Sequence, residues 1–190
     1  MRAKKTADEE NTSRGLWQQI QEDWIANGQV LTPGFQALAL YRFGVWRMGL
    51  PTPLRKMATA IYGVLFAFVR NFYGIELVYT TRVGRRVVIA HQGNVVIHGN
   101  SEIGDDCLIR QNVTIGAARH DRVSEEAPKL GHGVQVGAGA VIMGKVRIGD
   151  GVRVGPNAVV MTNVPAGATV FATPARIIEL PEIQQQPQAE

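Results

Sequence analysis

The sequence predicts a mainly β fold: a parallel β-helix built on a hexapeptide repeat and preceded by a short α-helical segment. Three observations carry the prediction. Aliphatic residues recur every sixth position between Val83 and Val160, a glycine follows many of them, and from Tyr73 the texture changes from helical spacing to β-branched residues. One such repeat cannot bury its aliphatic residue alone, so repeats stack and enclose a continuous core.

Residues 1–14 are polar and charged and read as a disordered tail. Residues 15–72 form the helical segment. Leu16, Trp17, Ile20, Trp24 and Ile25 share one helix face, and Asn27-Gly28 accepts the left-handed conformations that close a helix. Thr32 caps a second helix that has Pro33 at its first position and runs from Gly34 to Met48. Pro51 and Pro53 break it, and a third helix, 54–71, is almost wholly apolar. Its apolar run is shorter than the roughly 20 residues that cross a bilayer. That predicts burial against neighbouring helices or a sister subunit, with peripheral membrane contact as the alternative.

The β-helix then occupies 73–172. Val83, Ile89 and Val95 keep one phase of the six-residue count, and Ile97, Ile103, Ile109 and Ile115 keep another, displaced by two residues. The slip falls between His91 and His98. Counting resumes at Leu130 and continues through Val136, Ile142, Ile148, Val154 and Val160. The interruption at 117–129, AARHDRVSEEAPK, is polar and ends in proline, so it should leave the coil as an exposed loop. Residues 173–190 form a tail whose end should fray.

Composition narrows the function classes. The chain has 190 residues, a formal net charge of +4 and a single cysteine, Cys107, which excludes an intrachain disulfide framework and a cysteine-rich metal site. Cys107 lies two residues before Ile109 and reads as buried packing. A basic balance admits an anionic ligand or membrane surface, but no basic block is interleaved with aromatic residues, so no nucleic-acid partner is expected. His91, His98, His120 and His132 show no metal-ligand spacing, and His98 and His132 read as turn residues. The first residues lack the apolar core of a secretory signal, which predicts a cytoplasmic protein, membrane-associated if the third helix touches lipid.

The repeat with its one external loop, the run GVQVGAGAVIMGKVRIGDGVRVGPNAVV (133–160), the closing PARII (174–178) and the helical PGFQALALYRFGVW (33–46) resemble the hexapeptide acyltransferases, specifically the serine acetyltransferase family. The similarity covers about residues 31–178; the family's long amino-terminal helical domain is largely missing. The resemblance implies a left-handed β-helix, a homotrimer, acetyl-CoA bound between neighbouring subunits and direct acetyl transfer to a hydroxyl.

Residue by residue, the resemblance places His91 on the family's catalytic histidine and Glu76 on the aspartate that orients it. A near-neutral imidazole can take the acceptor's proton, and a carboxylate can fix its tautomer. Gly116 and Ala117 fall where the family's backbone meets the pantetheine thiol end; Ala138, Gly139 and Pro156 fall along the groove; Lys145, Arg153 and Arg176 are placed to meet nucleotide phosphates. Base catalysis with backbone donors requires no metal.

The acceptor positions depart from the family. Ala90 replaces an aspartate before the catalytic histidine, and Glu126 and Ala127 replace an Arg-His pair that holds the amino-acid acceptor. Glu126 would repel a carboxylate that an arginine could pair with. Arg119 and His120 are candidate substitutes, and Asp23 is a candidate acceptor residue by its place upstream of the PGF-like helix. The leading expectation is an acetyl-CoA-dependent O-acetyltransferase acting on a sugar hydroxyl of a surface polysaccharide or its precursor. The alternatives are a serine O-acetyltransferase of cysteine biosynthesis and a catalytically silent β-helix scaffold. An end in Gln-Ala-Glu, where the family's docking tail ends in isoleucine, speaks against partnership with the next enzyme of that pathway.

Overall fold

A computed structural model describes residues 15–117 and 126–177. The three helices come first: α1 (Leu16–Ala26), α2 (Pro33–Trp46) and α3 (Thr52–Phe68). Thr32 caps α2 as its sequence predicts, its Oγ1 accepting from the Phe35 N–H at 3.2 Å. A short 3₁₀ turn, Arg47–Gly49, follows α2, and Pro53 sits in the first turn of α3, where a missing N–H costs nothing. A wide helical turn, Val69–Tyr73, closes α3 and hands over to the β-helix at Gly74, whose φ is 64°.

Three parallel sheets then wrap the core. The first contains β1 (Ile75–Leu77), β4 (Val95–Ile97), β7 (Thr114–Gly116), β10 (Val141–Met143) and β13 (Val159–Val160). The second contains β2 (Arg82–Val83), β5 (Glu102–Ile103), β8 (Lys129–Leu130) and β11 (Arg147–Ile148). The third contains β3 (Val88–Ile89), β6 (Leu108–Ile109), β9 (Gln135–Val136), β12 (Arg153–Val154) and β14 (Thr169–Val170). Up to β13 successive strands belong to successive sheets, so each coil visits all three; the last coil meets the second sheet only through the bridge between Ile148 and Val164.

Every repeat aliphatic that the sequence singles out points into this prism, from Val83 to Val160. A second inward position lies two residues earlier in each repeat: Val87, Cys107, Val113, Val134, Ala140, Val146, Val152 and Ala158 are all buried. The Cys107 thiol is packed there, and burial pushes its pKa up to about 11. The phase slip now has a physical form. Ile75 lies beside Val95 but Ile97 lies beside Ile115, so the first coil takes 20 residues and the second 18. The two extra residues widen the corner between β3 and β4, where His91 lies.

An uncapped β-helix would expose a row of unpaired backbone groups at its first coil. Helices α1 and α2 cover that end. Tyr41 donates its hydroxyl to Thr81 O at 2.7 Å and accepts from Val83 N at 3.2 Å. Arg42 donates to Val83 O at 3.0 Å and to Gly84 O, and Asn27 donates to Val87 O at 3.1 Å. Gly34 permits the approach, since a Cβ there would run into the carbonyl of Ile89.

Two expectations for the helices change. Of the apolar face read from spacing, Leu16, Ile20 and Trp24 are half-buried, with the Trp24 ring 4.9 Å from that of Phe35, but Trp17 is 80% exposed and Ile25 is exposed, and the one fully buried residue of α1 is the charged Asp23. Helix α3 buries only Ala58 and Tyr62, and Met57, Ile61, Val64 and Phe68 are exposed, so within one chain it is not buried against neighbouring helices. No helix among the described residues is long and apolar enough to cross a membrane.

Candidate active site

The β-helix has three edges, and His91 and most of the donor-site candidates fall on two of them. On the edge between the third and first sheets, successive corners stack through backbone hydrogen bonds. Gly93 N donates to Tyr73 O at 2.9 Å, Asn112 N to Gly93 O at 2.8 Å, Gly139 N to Gln111 O at 3.0 Å and Asn157 N to Ala138 O at 2.9 Å. Each corner turns on a left-handed residue, Asn94, Asn112, Gly139 or Asn157. Asparagine and glycine tolerate that conformation at low cost.

His91 sits at the widened corner of this edge. Ala90 N still donates to Ile109 O at 2.9 Å, and Gly93 N is already held by Tyr73 O, so His91 and Gln92 bulge outward between two fixed points. Both are exposed. Above His91 the edge continues through Ala138, Gly139 and Pro156, all small or compact and all at least partly exposed. Glu76 projects from the outer face of β1, in register with Val96, Thr114, Val141 and Val159 on the strands above it. Among the described residues no hydrogen bond joins Glu76 to His91, although both border the Tyr73–Gly74 segment on which the corner rests.

Gly116, Ala117 and Lys145 occupy the next edge, between the first and second sheets, where Gly144 N donates to Gly116 O at 2.9 Å. The first sheet separates them from His91 by roughly 10 Å, the length of a three-residue strand. Within one chain the donor-site candidates thus fall into two groups, one on each side of the first sheet. Arg153 is exposed on β12 and Arg176 is exposed beyond the last coil.

At the acceptor positions, Ala90 presents a half-buried methyl, Glu126 is exposed and Ala127 is buried. Arg119 and His120 lie outside the described residues. Asp23 is not presented to an acceptor: it is fully buried, and its carboxylate receives Arg42 Nε at 2.8 Å and Arg42 Nη2 at 3.4 Å. Burial pushes this carboxyl up, against the pull of the guanidinium. The spacing from the PGF-like helix suggested a ligand residue; the partner that claims Asp23 instead is 19 positions on, in another helix, and nothing local to Asp23 signals it.

His98 and His132 serve the corners, as their positions predict. His98 Nδ1 accepts from Asn100 N at 3.2 Å, and His132 Nδ1 accepts from Asp105 N at 3.0 Å. No group of three metal-ligating side chains is found among the described residues.

Residues 127–161 match the family model described as bacterial transferase hexapeptide (six repeats). WcaB of Escherichia coli (strain K12), provisionally named a colanic acid biosynthesis acetyltransferase, is 37% identical over 132 residues, which covers 67% of this chain and 78% of that protein. A serine acetyltransferase of Synechocystis sp. is 40% identical over 148 residues, covering 77% of this chain and 56% of its own length. This chain thus spans little more than half of that relative. Among solved structures, soybean serine acetyltransferase complexed with serine superimposes with a TM-score of 0.71 at 27% identity, covering 90% of this chain and 72% of the other.

Proposed function

Because this chain belongs to the hexapeptide-repeat acetyltransferases, we propose that it transfers an acetyl group from acetyl-CoA to a saccharide hydroxyl, with His91 as general base. The acceptor oxygen attacks the thioester carbonyl carbon as its proton passes to the His91 imidazole. The tetrahedral adduct collapses, the C–S bond breaks, and the imidazolium returns the proton to the departing thiolate. The products are an acetyl ester and free CoA, with no net proton released. Glu76, turned toward the imidazole, would hold the tautomer and stabilise the imidazolium, and backbone N–H groups would meet the oxyanion.

The observation that carries the acceptor assignment is the set of side chains at the acceptor positions. A serine site needs an anion for the amino group and a cation for the carboxylate, whereas here Ala90 is a methyl, Glu126 an acid and Ala127 a buried methyl. Carboxylates accept hydrogen bonds from polyol hydroxyls, which suits a sugar. The WcaB similarity points the same way. Serine remains the second reading, favoured by the 40% identity to a serine acetyltransferase, and it requires Arg119 or His120 to rebuild the carboxylate site.

The separation of His91, Ala138, Gly139 and Pro156 from Gly116, Ala117 and Lys145 supports a homotrimer in which one edge of each chain faces the other edge of the next. The column Val96, Thr114, Val141 and Val159 would line that groove, and Lys145, Arg153 and Arg176 supply cations for the CoA phosphates. The exposed apolar stripe of α3 fits peripheral contact with a membrane.

Release of free CoA by the purified protein tests the acceptor. Turnover with hydroxylated oligosaccharides and none above background with L-serine is expected. Robust L-serine turnover that disappears in both His91→Ala and Arg119→Ala would replace the saccharide reading with the serine one.

A further inference from the structure

Away from both edges, Arg47 poses a problem of charge. Its residue is 4% exposed, yet no carboxylate pairs with it among the described residues, and its Nε is buried without a hydrogen-bond partner. The guanidinium lies between the rings of Tyr62 and Tyr79, 4.4 Å from each centroid, and Nη1 donates to Thr59 Oγ1 at 3.1 Å. Two aromatic faces offset part of the cost of burying a cation but leave its charge uncompensated.

Arg47 lines an open cavity of about 320 Å³ that it shares with Met48, Arg55, Lys56, Thr59 and Tyr79. Three cations therefore converge on one hollow whose lining contains no acid. The wider sequence sharpens the bias: from Trp24 to Ile75 there is no aspartate or glutamate, while Arg42, Arg47, Arg55, Lys56 and Arg70 are all basic. Of these, Arg42 is neutralised by Asp23. The charged side chains that line the cavity are all cationic.

We propose that this cavity is an anion site that takes a phosphate group, separate from the acetyl-transfer site. Arg55 and Lys56 would contact the phosphate oxygens, and the buried Arg47 would contribute its charge from behind them. The stem of Met48 and the ring of Tyr79 give the site an apolar wall, so a phosphate carried on an organic group fits as well as a free ion. Two sources share this chemistry: a soluble phosphomonoester and an anionic lipid headgroup. The site stands independently of the acceptor assigned above.

The test compares the full chain with Arg55→Gln/Lys56→Gln, both positions being on the first turns of α3 and away from the core. Inorganic phosphate is titrated at constant ionic strength, held with sodium chloride, and binding is read by calorimetry and by the unfolding midpoint. Phosphate should bind the wild type and bind the double variant at least about tenfold more weakly, with CoA release by the two proteins the same. Co-sedimentation with vesicles of equimolar phosphatidylglycerol and phosphatidylcholine, lost in the double variant, would assign the headgroup source. Phosphate binding without co-sedimentation would assign the soluble one. Equal phosphate affinity in both proteins, no phosphate binding at all, or displacement of bound phosphate by acetyl-CoA would each overturn a separate anion site.

Discussion

Replacing Asp23 with asparagine strips the counter-charge from Arg42 while leaving the side-chain shape nearly unchanged. The guanidinium cannot follow into solvent, because it is held under α1 and α2 by Val83 O and Gly84 O. Both members of the pair are essentially inaccessible, at 1% and 0% side-chain exposure. Breaking a pair buried to that degree costs about 3–5 kcal/mol, because the surviving charge is desolvated and alone. A domain of this size shifts in Tm by about 2–4 °C per kcal/mol, so Asp23→Asn should lower the midpoint by about 10 °C. Circular dichroism at one fixed protein concentration is the assay, since any self-association makes the midpoint concentration-dependent. The double variant Asp23→Leu/Arg42→Met should also unfold below the wild type. It removes the stranded charge, but it leaves the Val83 and Gly84 carbonyls without their donor, at about 1–3 kcal/mol for each unsatisfied group. An Asp23→Asn protein with the wild-type midpoint and a raised acceptor KM would refute this reasoning and return Asp23 to the acceptor site.

Three further outcomes follow from the fold. Gly34→Ala forces a methyl onto the Ile89 carbonyl and should cost about 1–3 kcal/mol in chemical denaturation, as overpacking does. The Cys107 thiol, with its pKa near 11, is ~0.1% thiolate at pH 8, so alkylation should be slow in the native protein and fast once it is unfolded; rapid native labelling would contradict its burial. The Asp106 carboxyl is held below its ordinary value of 3.8 by its hydrogen bonds to Arg86. A depressed carboxyl contributes stability above its unfolded pKa and loses it as pH falls through the folded one, so Arg86→Gln should flatten the acid limb of the stability profile below about pH 4.

The repeat was legible because it is local: a six-residue count reports the inward position whatever the neighbouring coil contains. Even the irregularity was readable as a slip of two, and the structure turns it into two extra residues at the His91 corner. The second inward position was harder to see, since valine, alanine and cysteine alternate there with less pattern than the aliphatic series. Thr81 and Ser101 hold the same position and are buried although polar. What spacing could not supply was partnership across the fold. Asp23 finds Arg42 on a different helix, Arg47 finds Tyr79 beyond α3, and a helical wheel that sees Trp17 as core knows nothing of what α1 meets. The donor-site residues were individually placed by resemblance, but their division between two edges depends on the coil closing in three dimensions.

The role proposed for His91 is to move the proton in acetyl transfer. Steady-state CoA release by wild type and His91→Ala, with acetyl-CoA binding and oligomeric mass measured on the same samples, tests it most directly. A fall in kcat of about 10²–10⁴ is expected, with binding and mass unchanged. Turnover by His91→Ala at the wild-type rate would contradict it.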